Sequence, residues 1–229
     1  MRVLVACEES QEVCKAFRAL GHEAYSCDIQ ECSGGYPEWH IRGDCLPLLN
    51  GNCTFQTDDT HTHTQTGKWD LIIAHPPCTY ISNAGACRLY PRKGELDKDR
   101  YIKGLKGKEF FMAFWWYGYF GCGAMVIENP VPSSIYELPK PTNIIQPYEF
   151  GEEYSKKTYL WEFGVQHLMP TELVANFKPY VSCGTSRNKG NKEKSGYSRA
   201  GGASRSRSKT FPGVAKAMAE QWGGIVHET

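Results

Sequence analysis

The chain has 229 residues, of which 41% are hydrophobic, and a formal net charge of +1. That is enough chain and apolar content for one α/β domain, and no run of about 18 apolar residues occurs, which excludes an ordinary transmembrane helix. None of the ten cysteines is spaced C-x-x-C, which argues against a zinc ribbon or a dithiol redox motif.

Arg2 to Ala6 is rich in Val and Leu and reads as a central strand. Cys7-Glu8-Glu9-Ser10 is a polar turn. Ser10 stands where it would cap a helix carrying Val13, Cys14, Phe17 and Leu20 on one face, and Gly21 ends that helix. Glu23 to Ser26 reads as a second strand running into Asp28. A strand, a turn, a helix and a second strand ending in an acid match a nucleoside-binding unit, where the carboxylate accepts bonds from ribose hydroxyls. No glycine lies between Met1 and Leu20, so the phosphate-cradling G-x-G-x-x-G turn is absent. A nucleoside ligand without phosphates, such as S-adenosylmethionine, needs no such cradle. An ordinary βαβ unit with Asp28 on its surface is the equal alternative.

Asp44 follows a third strand in the His40 to Leu46 stretch, where it would meet an adenine amino group. Residues 51–68 are polar and threonine-rich and read as a hairpin insertion. His61 and His63 alternate there beside Asp58 and Asp59, and a solvated hairpin is preferred to a metal site. Leu71 to Ala74 reads as a buried strand stopped by Pro76 and Pro77, which puts Cys78 at the carboxyl edge of a sheet, where ligands bind in open α/β folds.

Arg88 to Lys108 reads as a basic loop leading into a helix. The aromatic run from Phe110 to Phe120 reads as the core face of a long helix rather than a base-stacking surface. Ala124 to Pro130 repeats the earlier pattern: an apolar strand ends in Glu128 and Asn129, and a proline stops it. In a parallel sheet this strand lies beside Leu71 to Ala74, so Glu128 faces the crevice of Cys78. Asn143 to Phe150 and Thr158 to Trp161 read as further strands, with Lys156 and Lys157 before the second. Phe211-Pro212-Gly213 leads into a helix running to Trp222, ended by Gly223 and Gly224.

Charge is unevenly spread. Lys178 to Lys209 holds nine basic residues and one acid, a net +8, which leaves −7 for the rest of the chain. An acidic body with one basic segment points to a polyanionic partner, and nucleic acid is favoured over a merely solvated loop. The Met1 to Ala6 stretch is too short and too soon polar for a secretory signal. A cytoplasmic protein with reduced cysteines, favouring the monomer, is therefore expected.

These residues together resemble the C5-cytosine DNA methyltransferases, and more narrowly the compact members found in phages and prophages. Pro77-Cys78 resembles the family's nucleophile loop, with Ser82 and Ala84-Gly85 trailing it. Glu128-Asn129 resembles the Glu-Asn motif, and Arg207 to Ala219 resembles the C-terminal motif that returns beside the cofactor. Asp28 and Asp44 match the acids that hold ribose and adenine. The resemblance covers most of the chain. Cys7-Glu8-Glu9-Ser10 stands where the family carries Phe-x-Gly-x-Gly, Thr79 where Gln is usual, and Pro130 where Val is usual.

The resemblance implies one Rossmann-like, S-adenosylmethionine-dependent methyltransferase domain over residues 1–229, mostly parallel, with helices on both faces. Residues 51–68 form its hairpin insertion, 178–210 a basic flexible segment, and 211–224 the returning helix. It implies Cys78 as nucleophile on cytosine C6, Glu128 at ring N3 and Asn129 as a brace. It assigns the cofactor to Cys7, Glu8, Asp28, Asp44, Pro76 and Phe211. DNA falls to Lys156, Lys157, Arg187, Arg199, Arg205, Arg207 and Lys209. No metal is implied, and no membrane association. Two other readings fit part of the pattern: an amino (N4 or N6) DNA methyltransferase, which uses a Pro-Pro turn at the same strand end, and a non-catalytic nucleic-acid-binding or host-interaction protein on the same scaffold.

Overall fold

Val3, Leu4, Val5 and Ala6 are all fully buried, which only a strand covered on both faces achieves. The computed structural model describes residues 1–86, 88–121, 123–180 and 209–224. The first strand, β1 (Arg2–Ala6), leads through α1 (Glu12–Ala19) to β2 (Glu23–Asp28) and a short β3 (His40–Arg42). A hairpin of β4 (Cys53–Gln56) and β5 (Thr62–Gln65) follows, then β6 (Leu71–Ala74), a single-turn α2 (Asn83–Ala86) and the long α3 (Lys98–Tyr119). The remaining elements are β7 (Ala124–Pro130), β8 (Asn143–Ile145), β9 (Tyr154–Ser155), β10 (Thr158–Phe163), β11 (Lys178–Pro179) and α4 (Pro212–Met218), which runs into a π turn at Ala219–Gly223.

Seven strands form the main sheet in the order β3-β2-β1-β6-β7-β10-β8. The run from β3 to β7 is parallel, and β10 pairs antiparallel with both β7 and β8. Connections reverse direction between β1 and β6, the switch point at which an open α/β sheet parts to form a crevice. Alternate residues serve opposite faces. Val3, Val5, Leu71 and Ile73 pack with Phe17 of α1 and Met218 of α4. Leu4, Ala6, Ile72 and Ala74 pack with Phe111 and Phe114 of α3. Each large apolar side chain so buried contributes roughly 1.5–3 kcal/mol. The α3 helix can lie close because Gly104 meets the Tyr136 phenol and Gly118 the Phe163 ring, where a Cβ would fall 2.0 Å from the Tyr136 hydroxyl and 2.5 Å from the Phe163 ring.

The β4–β5 hairpin lies against the edge of β3. Asp58 N–H donates to the carbonyls of His40 and Pro37 at 2.8 and 3.1 Å, and its carboxylate pairs with Arg42 at 3.1 Å. His63 sits between the Tyr25 and Thr57 hydroxyls, and His61 bonds Asp59.

Three expectations are corrected. Strand structure in the Asn143 to Phe150 stretch stops at Ile145, because Pro147 has no N–H and a single helical turn closed by Gln146 and Glu149 follows. Ser10 does not cap α1: the residue before the helix is Gln11, in the left-handed region at φ 60°, and the carboxylate of Glu8 takes its place. The aromatic run is only partly core, since Trp116 and Tyr119 of α3 and Phe120 just after it are exposed, while Phe111 and Phe114 are fully buried.

Candidate active site

The carboxyl ends of β1, β6 and β7 lie side by side at the switch point. Each ends in a turn that carries chemistry. After β1 the chain turns at Cys7, whose φ of 60° is costly for a non-glycine residue. Glu8 then points inward. Its two oxygens accept from the N–H groups of Val13 and Cys14 at 2.6 and 3.2 Å, so it anchors the turn to the first turn of α1. Burial pushes the Glu8 carboxyl up to about 7, against the pull of His75 and of those two N–H groups.

After β6 come His75, Pro76, Pro77 and Cys78. The carbonyl of Pro76 accepts a 2.8 Å hydrogen bond from Asn129 Nδ2 at the end of β7, while the Asn129 side chain is buried. Nδ1 of His75 lies 3.1 Å from Oε2 of Glu128, with the two side chains 11% and 14% exposed. Burial pulls the His75 imidazole down, but Glu128 and then Glu8 outweigh it, and its pKa stands above the ordinary value. Burial pushes Glu128 up, yet His75 and Lys156 prevail and hold the carboxyl below the usual range.

Cys78 shares this crevice. Burial, then the charge of Glu128, push its thiol up, and Lys156 and Ser82 pull it back only in part. Lys156 lies between β9 and β10 and lines a cleft with Glu128, Thr158 and Phe211. The turn after Cys78 is held from α3. Arg100 donates from Nε to the Gly85 carbonyl and from its guanidinium to the Thr79 carbonyl, and it stacks over the Tyr80 ring at 4.9 Å. A Cβ at Gly85 would fall 2.2 Å from the Thr79 carbonyl oxygen, so this turn requires its glycine.

The residues assigned to a nucleoside fall into two groups. Cys7 and Cys45 bring their sulfurs to 3.6 Å, with Cys27 of β2 beside them and the charges of Asp28 and Asp44 felt at Cys27. Asp28 Oδ1 accepts from Gln30 N–H, and Asp44 Oδ1 from Leu46 N–H, both in tight turns. Phe211 lies elsewhere: its ring neighbours are Tyr154 and Tyr180, with the Lys156 ammonium 5.8 Å from its centroid. It therefore joins the Glu128 side of the crevice rather than the Cys7 side.

Lys157 is exposed and Lys209 half-buried. Arg187, Arg199, Arg205 and Arg207, with most of the basic segment, lie outside the described residues. No metal-ligand cluster occurs among the described residues, and no helix of the described residues is long and apolar enough to cross a membrane. Sequence reasoning gave His75 no role. Its signal was available: a histidine directly before the Pro-Pro turn, on the strand next to Glu128.

These features define a doubly wound α/β protein with a crevice of thiol, carboxyl, imidazole and ammonium groups at its switch point. No family model and no curated protein matches the chain. Among solved structures, it is similar to one provisionally described as a DNA modification methyltransferase encoded within a prophage of E. coli, at 11% identity and a TM-score of 0.42. The alignment covers 76% of this chain and 52% of that one, so the chain spans about half that protein's length. Likeness at this level leaves the function to be argued from the site.

Proposed function

We propose that the chain is a DNA methyltransferase that transfers a methyl group from S-adenosylmethionine to C5 of cytosine through a covalent adduct on Cys78. The observation that carries this reading is the meeting of Cys78, Glu128 and Lys156 at the carboxyl edge of β6 and β7, with Asn129 tied to the Pro76 carbonyl. C5 of cytosine is a poor nucleophile, so a covalent step has to activate it. The Cys78 thiolate adds to C6, and electron density moves through the ring to N3, where the Glu128 carboxyl supplies a proton. Lys156 favours the thiolate. A base inside a duplex is out of reach of this crevice, so the cytosine enters flipped out or single-stranded.

The donor set on the Cys7 side fits an adenosyl group. Asp28 and Asp44 offer carboxylates to hydroxyl and amino donors, Cys7, Cys27 and Cys45 form a soft wall, and no glycine cradle for a phosphate is present. S-adenosylmethionine, when bound, supplies an electrophilic methyl group. Glu8 serves this side from behind, by holding the β1 turn onto α1. Lys156, Lys157 and Lys209, with the basic segment, would meet the phosphate backbone in a salt-dependent way.

The test is expression beside a plasmid in a host that lacks cytosine methylation, followed by bisulfite sequencing and nucleoside mass spectrometry. 5-Methylcytosine in the plasmid is expected. Methyl groups on N4 or N6 would overturn this reading in favour of an amino methyltransferase. No methylation and no S-adenosylmethionine binding would leave a nucleic-acid-binding protein.

A further inference from the structure

We infer that His75 is a positioning residue for Glu128: its Nδ1–H donates to Oε2 of the carboxyl, fixes that carboxyl's rotation, and reserves the other oxygen for the substrate base. The inference rests on the reading of Glu128 as the group that meets cytosine N3. The 3.1 Å contact joins the ends of two neighbouring parallel strands. Both backbones are held independently of the side chains. His75 N–H donates to the Ala6 carbonyl at 2.9 Å, and Asn129, next to Glu128, is tied to Pro76. The two side chains therefore spring from neighbouring strand ends whose spacing is fixed.

The rest of the surroundings agree. The other ring nitrogen, Nε2, is buried and has no hydrogen-bond partner among the described residues. The ring therefore has one polar contact to orient it, and that contact is Glu128. The charged groups that act on the pair are Glu8, from the turn after β1, and Lys156, from between β9 and β10, while Cys78, in the turn after β6, feels the charge of Glu128. A carboxyl that already accepts N–H on Oε2 cannot carry a proton there facing the ring. Any proton that Glu128 takes up sits on Oε1 and is presented to the crevice.

The proton balance follows. Cys78 releases its thiol proton to solvent before attack, and Glu128 takes one up from solvent as the base enters. When the S–C6 bond forms, the Glu128 proton passes from Oε1 to N3. C5 then takes the methyl group from the donor, which leaves as a neutral thioether; C5 loses its hydrogen to water, the S–C6 bond breaks to restore the thiolate, and the N3 proton returns to Glu128. His75 gives up nothing. Its work is to keep the proton on the side of the substrate. Protonation of Glu128 also removes the negative charge that holds the Cys78 thiol up, so one uptake serves both groups.

His75→Leu and His75→Asn separate this role from simple packing. Leu removes the donor, whereas Asn places an amide N–H where Nδ1 stood. With DNA and S-adenosylmethionine, His75→Leu is expected to lose about 100-fold in kcat with KM within about 3-fold, and His75→Asn to recover to within about 10-fold of wild type. Exchange of the cytosine C5 hydrogen with solvent, which needs the Cys78 adduct, with its Glu128 proton at N3, and solvent protons but no methyl donor, should follow the same order. The carboxyl of Glu128, followed by carbon-13 NMR in the ligand-free protein, should titrate below the usual range in wild type and move up in His75→Leu. Wild-type kcat in His75→Leu, or His75→Asn no better than His75→Leu, overturns the inference. If wild type neither methylates nor exchanges, the proposed function has failed. The NMR titration then decides the pairing alone: an upward move in His75→Leu supports it and an unmoved carboxyl overturns it.

Discussion

Asn129 Nδ2 donates to the Pro76 carbonyl at 2.8 Å, and this bond couples the end of β7 to the turn that carries Cys78. Neither Pro76 nor Pro77 has an N–H to donate, and the buried Pro76 carbonyl takes its partner from the Asn129 side chain. Asn129→Leu should therefore strand a buried carbonyl and cost about 1–3 kcal/mol of stability. Urea midpoints will show the loss. Methyl transfer should fall by at least about 100-fold because the thiol and the carboxyl lose their common frame.

Cys78→Ala should abolish methyl transfer and leave S-adenosylmethionine affinity within about 3-fold, since the cofactor side of the crevice is built from β1, β2 and β3. Labelled-methyl incorporation and a calorimetric titration measure the two effects. Transfer by this variant at the wild-type rate would remove Cys78 from the mechanism.

Thiol reactivity reports the electrostatics of the crevice. Burial and the Glu128 charge hold the Cys78 thiol up, while Lys156 pulls it down. Glu128→Gln should shift the pH midpoint of Cys78 alkylation downward, and Lys156→Gln should shift it upward. Peptide mapping after timed iodoacetamide treatment distinguishes this cysteine from the others. Opposite shifts would mean that the two charges do not face the sulfur.

Glu8 makes stability depend on pH. Its folded pKa of about 7 lies above the ordinary carboxyl value of 4.5. The folded chain therefore holds this proton longer than the unfolded chain does. The associated stability is complete below the unfolded value and is lost as pH rises towards the folded one. The full loss is at most about 3 kcal/mol. His75, whose pKa is also raised, adds a loss of the same sign above its ordinary value of 6.5. Comparing urea midpoints at about pH 5 and about pH 8, Glu8→Gln should show a smaller fall than wild type.

Gly213 sits at the start of α4 with Phe150 pressed against it. A Cβ there would lie 2.0 Å from the Phe150 carbonyl oxygen, and the Gly213 N–H bonds Glu152 at 2.8 Å. Gly213→Ala should unseat the start of α4 and cost about 1–3 kcal/mol. Phe211 and its contact with Lys156 would move with it, so chemical denaturation and Cys78 alkylation should both change.

Much of this was legible because strand ends announce themselves. Pro76 and Pro130 stop β6 and β7, and the pairing of the two strands follows from their apolar runs, so Cys78 and Glu128 could be brought to one edge from sequence. The direction of Glu8 could not. A carboxylate in a polar turn can face ligand or backbone, and here two left-handed residues, Cys7 and Gln11, turn it onto α1. The resemblance alone implies the place of Phe211, whose ring neighbours Tyr154 and Tyr180 come from segments whose meeting depends on the β9–β11 pairing. His75 was missed because a histidine beside prolines has no periodic signature. Its meaning comes only from the strand next door.

The two edges of the main sheet have a consequence for the chain among its own copies. Exposed strand edges invite further strands and so seed aggregation. Here β3 and β8 are each three residues long, and β3 is already occupied along its rim by Asp58 of the hairpin. The polar, threonine-rich insertion thus works as a stopper: it denies a neighbouring molecule the backbone groups that sheet extension would need.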